Sequence, residues 1–261
     1  MTLVKKRDRS MKKIIRFYPS EEALRIAYAL GEIDAANGLR STSIKDSRFD
    51  TFINTEIKRV TNYNKLVTAF YNNSDNILSN KKIRQALNYA IPAEFKEGER
   101  AFSSIPPVSL YFSKTPNYGI SDPGIAGALL AEEKDAKNTT FEVSVLEGYE
   151  NAANAIRRSW EKVGIKSKLR VVKDLPQSFQ ILVYPMNLPQ DPDQYTLWHS
   201  GEINNITGYK NLRIDKILED GRLNYDRARR IEIYQDFQKY LIDDAPASFL
   251  YFPFEYQVIR S

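Results

Sequence analysis

Apolar positions along the chain switch between a spacing of two and a spacing of three to four, and the switches divide it into alternating strands and helices. Lys13–Tyr18 (KIIRFY) reads as a short strand. The helix after it opens at Pro19-Ser20-Glu21-Glu22 and runs to about Leu30, with Ser20 as N-cap, two acids in its first turn and Gly31 to stop it. Glu32–Ala36 turns back toward a strand, making a β-α-β beginning. Thr51–Tyr71 is mostly extended, and the polar stretch Asn72–Asn80 marks a boundary. Lys81–Ala90 is helical, capped by Asn80, with Ile83, Ala86, Leu87 and Ala90 on one face. Ser103–Tyr118, with three prolines, is irregular and lies over a surface. A second β-α-β unit is the clearest local pattern: strand Phe141–Leu146, helix Glu150–Val163 closed by Gly164, and strand Lys166–Val172, the two strands parallel. Phe179–Tyr184 adds a buried strand, Asn211–Gly221 and Tyr225–Ile242 are helices, and Ala247–Tyr251 is a last extended run. The fold class is α/β.

In an open parallel sheet, ligands bind beyond the carboxyl ends of the strands, so the loop Pro185–Tyr195 after the buried strand is the first place to search. Asp191-Pro192-Asp193 holds two carboxylates there. They either take a cationic group such as a peptide amine or close an Asx-type turn, and spacing alone favours the turn. Tyr195 and Trp198 offer a flat apolar wall with a polar handle, or are core residues of a short helix. His199 beside Ser200 tempts a nucleophile-and-base reading, but no strand-turn-helix elbow surrounds them. Asn205, in Asn204–Tyr209, either hydrogen-bonds a ligand or belongs to a polar turn. No catalytic residue, metal-ligand set or cofactor-binding loop is assigned.

Composition narrows the classes further. With 261 residues, 42% of them hydrophobic, the chain can bury one or two cores. The net charge of +5 is small beside 27% charged residues of mixed sign and does not predict nucleic acid. The basic clusters Lys5–Arg9 and Arg227–Arg230 read as solvated faces without interleaved aromatics. There is no cysteine and a single histidine, His199, which excludes disulfides, thiolate chemistry and His clusters. Met1–Ser10 is basic but lacks the apolar stretch of a signal segment.

Several segments in order resemble the large substrate-binding proteins of ATP-driven (ABC) peptide, dipeptide and nickel importers, solute-binding protein family 5. These are Phe17–Ala36 (FYPSEEALRIAYALGEIDAA), Lys82–Ile91 (KIRQALNYAI), Gly164-Ile165, Asp191–Ser200 (DPDQYTLWHS), Thr207–Asn211 (TGYKN), Ile214–Arg222, Ile233–Gln238 and Asp244–Tyr251 (DAPASFLY). The resemblance implies a type II periplasmic-binding-protein-like lobe with β-α-β units plus an incomplete part of the first lobe. Residues 1–11 would form a disordered basic leader or tag, 12–79 the partial first lobe, and 80–261 the C-terminal ligand-binding lobe. It implies a binder rather than an enzyme, in the periplasm or on the outer face of the cell membrane. Such a protein takes oligopeptides in an interlobe cleft and hands them to membrane permease subunits of the importer. Asp191 would anchor the peptide amine, with Asp193 second and Tyr195 and Trp198 supporting the pocket. A receptor for a nickel chelate or sugar, a ligand-sensing role, and a hydrolase using Asp191 and Asp193 are the competing readings. Family members are roughly twice this length, so the resemblance implies a fragment, with open sheet edges expected in 12–79 that invite self-association.

Overall fold

The structure is a computed structural model that describes residues 2–4, 12–40, 49, 52–114 and 120–261. Among the described residues the elements run β1 (Thr2–Val4), β2 (Lys12–Ile14), α1 (Glu21–Ala29), β3 (Ala35–Arg40), β4 (Thr55–Thr61), β5 (Lys65–Tyr71), α2 (Lys81–Tyr89), β6 (Gly98–Arg100) and α3 (Pro123–Ala131). They continue with α4 (Lys134–Asn138), β7 (Thr140–Leu146), α5 (Glu150–Glu161), β8 (Lys166–Val172), β9 (Ile181–Asn187), α6 (Tyr195–Trp198), α7 (Leu212–Leu223), α8 (Arg227–Asp244) and β10 (Ala247–Arg260). The chain divides into two compact units, residues 1–60 with 254–261, and residues 61–253.

The larger unit is a mixed sheet covered on both faces. Its strand order is β10-β5-β9-β7-β8, with β6 also paired to β10. β5 runs antiparallel to β9 over seven residue pairs, from Lys65↔Asn187 to Tyr71↔Ile181, whereas β7 is parallel to both β8 and β9. Because side chains alternate along a strand, β5 feeds two cores at once. Val67, Ala69 and Tyr71 face the helices α2, α3 and α5. Leu66 and Phe70 face α7 and α8 through Ile214, Leu218, Tyr234, Phe237 and Leu241. The run LVTAF in β5 is therefore apolar at almost every position. The β-α-β unit forms over the residues expected, with Gly164 at φ +86 after α5. Trp160 of α5 is fully buried and donates its indole N–H to Leu87 O at 3.0 Å.

Helix starts follow the caps read from the sequence. Ala23 N–H donates to Ser20 Oγ at 3.1 Å, Lys82 N–H to Asn80 Oδ1 at 2.9 Å, and Arg213 N–H to Asn211 Oδ1 at 2.8 Å. The smaller unit packs Tyr28, Ala36, Leu39, Phe49 and Val258 together. Tyr28 meets Phe49 and Phe52 edge-on and shares a hydrogen bond of 2.9 Å with Thr55 Oγ1.

Several expectations are corrected. The first strand is shorter than Lys13–Tyr18: β2 ends at Ile14, and residues 15–18 lead without ladder pairing to Pro19, which has no N–H to offer. β2 pairs with β1, and β3 pairs antiparallel with β10, so the beginning is not a mutually paired β-α-β unit. Residues 2–4 of the leader expected to be disordered form β1, and the rest of that leader lies outside the described residues. Of the strands in 12–79, expected to lack sheet partners, β5 has partners on both sides because β10 supplies one and β9 the other. The same pairing is why contacts within the chain divide it at Thr61 rather than at the polar stretch 72–80. Part of Ser103–Tyr118, residues 115–119, lies outside the described residues.

Candidate functional site

The loop leaving the carboxyl end of β9 begins where Leu188 N–H donates to Asn64 O at 2.7 Å, which ties it to the β4–β5 turn. Two Asx turns then follow in succession. Asp193 N–H donates to Asp191 Oδ1 at 3.0 Å, and Tyr195 N–H donates to Asp193 Oδ1 at 2.9 Å, which starts the single turn of α6. The turn reading of Asp191-Pro192-Asp193 is thus realised in the backbone. Each carboxylate also holds an arginine. Arg230 of α8 makes a bidentate pair with Asp191, NH1 to Oδ2 at 2.8 Å and NH2 to Oδ1 at 2.6 Å. Arg222 of α7 donates to Asp193 Oδ2 at 2.8 Å and lies 3.9 Å above the Tyr195 ring. Arg230 is therefore not part of a solvated face: its side chain is 18% exposed, because the Asp191 carboxylate draws it inward over Tyr111 and Tyr234.

A cavity of about 360 Å³ opens beside this loop. Tyr63 and Asn64, residues 104–106 and 108–111, residues 188–192 and Gln194 line it. Gln194, 2% exposed, braces one wall: its Nε2 donates to Ser104 O at 2.9 Å while its Oε1 accepts the Trp198 indole N–H at 3.0 Å. The opposite segment is stapled from below by Gln238 of α8. Gln238 Oε1 accepts from Ser103 Oγ at 2.9 Å and Ser113 N–H at 3.2 Å, and its Nε2 donates to Tyr111 O and Tyr234 O, each at 2.8 Å. One buried amide thus gives an irregular, proline-rich segment the fixed partners that a strand would otherwise provide.

Of the residues expected at a site, Asp191 lines the cavity. Trp198 is fully buried behind it, tilted against Phe70 and edge-on to Phe249, and reaches the wall through Gln194. Tyr195 is half-buried and stacks on His199 at 4.1 Å. Asn205 serves its own loop, donating to Tyr209 O at 2.7 Å and accepting from Thr207 Oγ1 at 2.8 Å. His199 accepts Gly201 N–H on Nδ1 at 3.1 Å and directs Nε2 to Glu219 at 3.6 Å. The hydrogen bond from Arg230 holds the Asp191 carboxyl below the usual carboxylate range, against a smaller opposing effect of burial. That is the reverse of what a general acid needs. Arg230, Gln194 and Gln238 were not among the expected residues.

Comparison with known proteins places this geometry. Residues 5–205 match the family described as bacterial extracellular solute-binding proteins, family 5 middle. The chain belongs to this family. A curated relative, the oligopeptide-binding protein AppA of Bacillus subtilis (strain 168), is 27% identical over 220 residues, 70% of this chain and 40% of the relative. Among solved structures, that of B. subtilis AppA in complex with a nonapeptide superposes with a TM-score of 0.77 at 24% identity, covering 94% of this chain and 55% of AppA. The substrate-binding protein CtaP of Listeria monocytogenes gives 0.80 at 21%, covering 94% and 54%, and DppA of Helicobacter pylori in complex with the peptide STSA gives 0.78 at 19%, covering 100% and 56%. The fold is that of the type II periplasmic binding proteins. The chain spans 40% of the curated relative and a little over half of these solved chains. The family is one of solute binders outside the cytoplasm, and among the described residues no helix is long and apolar enough to cross a membrane.

Proposed function

We propose that this chain forms one wall of an oligopeptide-binding cleft in the substrate-binding component of an ABC importer, which delivers its cargo to membrane permease subunits. The observation that carries the reading is the cavity beyond the carboxyl end of β9, apolar at Ile105, Val108, Leu110 and Leu188 and edged by side-chain hydroxyls and amides. That mixture suits a peptide, whose backbone needs hydrogen bonds and whose side chains vary. Ser104, Ser109 and the amides of Asn64 and Gln190 lie along that edge. The family and the oligopeptide-binding relative support the same reading. Binding without turnover agrees with two carboxylates each held by an arginine. In this reading Tyr195 and Trp198 support the wall from behind.

Native mass spectrometry with a mixed pool of di- to hexapeptides tests it. Intact peptides retained by the chain are the expected result. No retained peptide removes the receptor reading for this chain, and shortened peptides replace the binder with a hydrolase. Asp191→Ala and Asp193→Ala, measured beside it, show which carboxylate the bound peptide feels.

A further inference from the structure

We propose that Arg230 is a positioning residue that cancels the charge of Asp191, so that the cavity receives an uncharged part of a peptide and does not select for its free α-amine. The inference rests on the peptide-binding reading above. Among the described residues that line the cavity, Asp191 alone is an acid or a base of Lys or Arg type, so it alone decides whether the wall attracts an ammonium group. Its carboxylate is taken on both oxygens by the Arg230 fork, at 2.8 and 2.6 Å, and Oδ1 also accepts Asp193 N–H. Arg230 cannot swing aside cheaply, because its Nε donates to Gly221 O at 3.0 Å and its guanidinium packs over Tyr111 and Tyr234. Asp193, next along the loop, is matched in the same way by Arg222. The loop thus presents two carboxylates and two guanidiniums, with no net charge toward a ligand. Half of the Asp191 side chain stays exposed, so its remaining lone pairs can accept a neutral N–H such as a peptide amide. An incoming ammonium would instead meet a guanidinium already in place.

The test presents the chain with an equal mixture of two amidated alanine-leucine pentapeptides, one with a free and one with an acetylated amine. It is run at about pH 6, where an α-amine of pKa about 7.7–8 is protonated. The readout is the ratio of the two bound forms by native mass spectrometry. Wild type is expected to bind both within about twofold, and Arg230→Met to prefer the free amine by about tenfold, the ordinary size of one charge-assisted hydrogen bond. Arg230→Lys should return the ratio to that of wild type, and so should Asp191→Asn added to Arg230→Met. A purely structural role for Arg230 would move affinity for both peptides together and leave the ratio alone. Should the Met variant fail to fold, Arg230→Gln carries the same comparison. A wild-type preference of about tenfold for the free amine, or an unchanged ratio in the variant, overturns this inference and leaves peptide binding standing. Capture of neither peptide by wild type overturns both.

Discussion

The two ends of α8 meet the rest of the molecule in different ways. At the C-terminal end Arg84 of α2, 6% exposed, donates to four carbonyls: Leu78 O at 2.8 Å, Ser79 O at 2.9 Å, Asp244 O at 2.8 Å and Ala245 O at 3.1 Å. A cation there satisfies orphan carbonyls and complements the negative end of the helix dipole. Ala245 beyond it takes the left-handed conformation, φ 47, that usually falls to glycine. At the N-terminal end Arg230 sits in the first turn, where the dipole disfavours a cation, and it faces a half-exposed carboxylate. The first arrangement is a closed network that holds the fold together. The second ties a loop to the helix and sets the charge of a cavity wall.

The contrast predicts unequal costs, and the largest belongs to Arg84. Arg84→Met leaves four carbonyls short of a donor in a buried place, and about 3 kcal/mol of unfolding free energy should be lost. Urea unfolding followed by circular dichroism reads this as a lower midpoint. A loss below about 1 kcal/mol would show that water replaces the guanidinium and that the two ends are not so different.

Trp198→Phe comes next and probes what holds the cavity wall from behind. The substitution removes part of a fully buried ring and strips Gln194 Oε1 of its donor, for about 2 kcal/mol in all. Faster amide exchange in residues 188–194 should accompany it. Unchanged exchange would mean that the two arginines alone fix the loop.

Asp244→Asn tests the closed end by pH. Burial raises the Asp244 pKa, but hydrogen bonds from Lys81, Tyr209 and Asn211 outweigh it and hold the carboxyl below its ordinary range. A depressed folded pKa means that the stabilisation is fully present above the unfolded value of about 3.9 and is lost as the pH falls through the folded value. Wild type should therefore exceed Asp244→Asn by about 1 kcal/mol at neutral pH, and the gap should close in acid. A gap that stays constant from neutral to acid pH would detach the network from the Asp244 charge.

Much of this architecture is legible locally because caps and periodicity are short-range. Ser20, Asn80, Asn211 and Gly164 each mark a helix end within a few residues of where it falls. Pro123–Ala131 escapes because PGIAGALLA is apolar on every side, and a helix without a polar face has no period to read. β10 runs past Ala247–Tyr251 to Arg260: Pro253 interrupts the sequence pattern, but the strand passes through it and pairs Pro253 with Gly98. Gly98 is dictated by that contact, since a Cβ there would lie 2.2 Å from the Tyr251 ring and 2.3 Å from Phe252 O. The site is legible in its acids and not in their partners. Asp191 stands out by its loop, but Arg230 is 39 residues away inside a basic run, and only the packing of α8 brings the two together.

The smallest expected effect is the most direct measure of the open end. Arg222 and Asp193 are 42% and 26% exposed in their side chains, so solvent screens the pair and the long Arg222 side chain is free to move when it breaks. A double-mutant cycle with Arg222→Ala and Asp193→Ala should give a coupling of about 0.5 kcal/mol that shrinks as salt is raised from about 0.05 M to 0.5 M. The ring contact of Arg222 over Tyr195 belongs to the same cycle only through Arg222→Ala, and Tyr195→Leu separates it. A coupling of about 2 kcal/mol or more, insensitive to salt, would place this pair with Arg84 among the buried supports of the fold. The loop would then be rigid for structural reasons, and its balanced charge would be a by-product of that rigidity rather than a property of the binding surface.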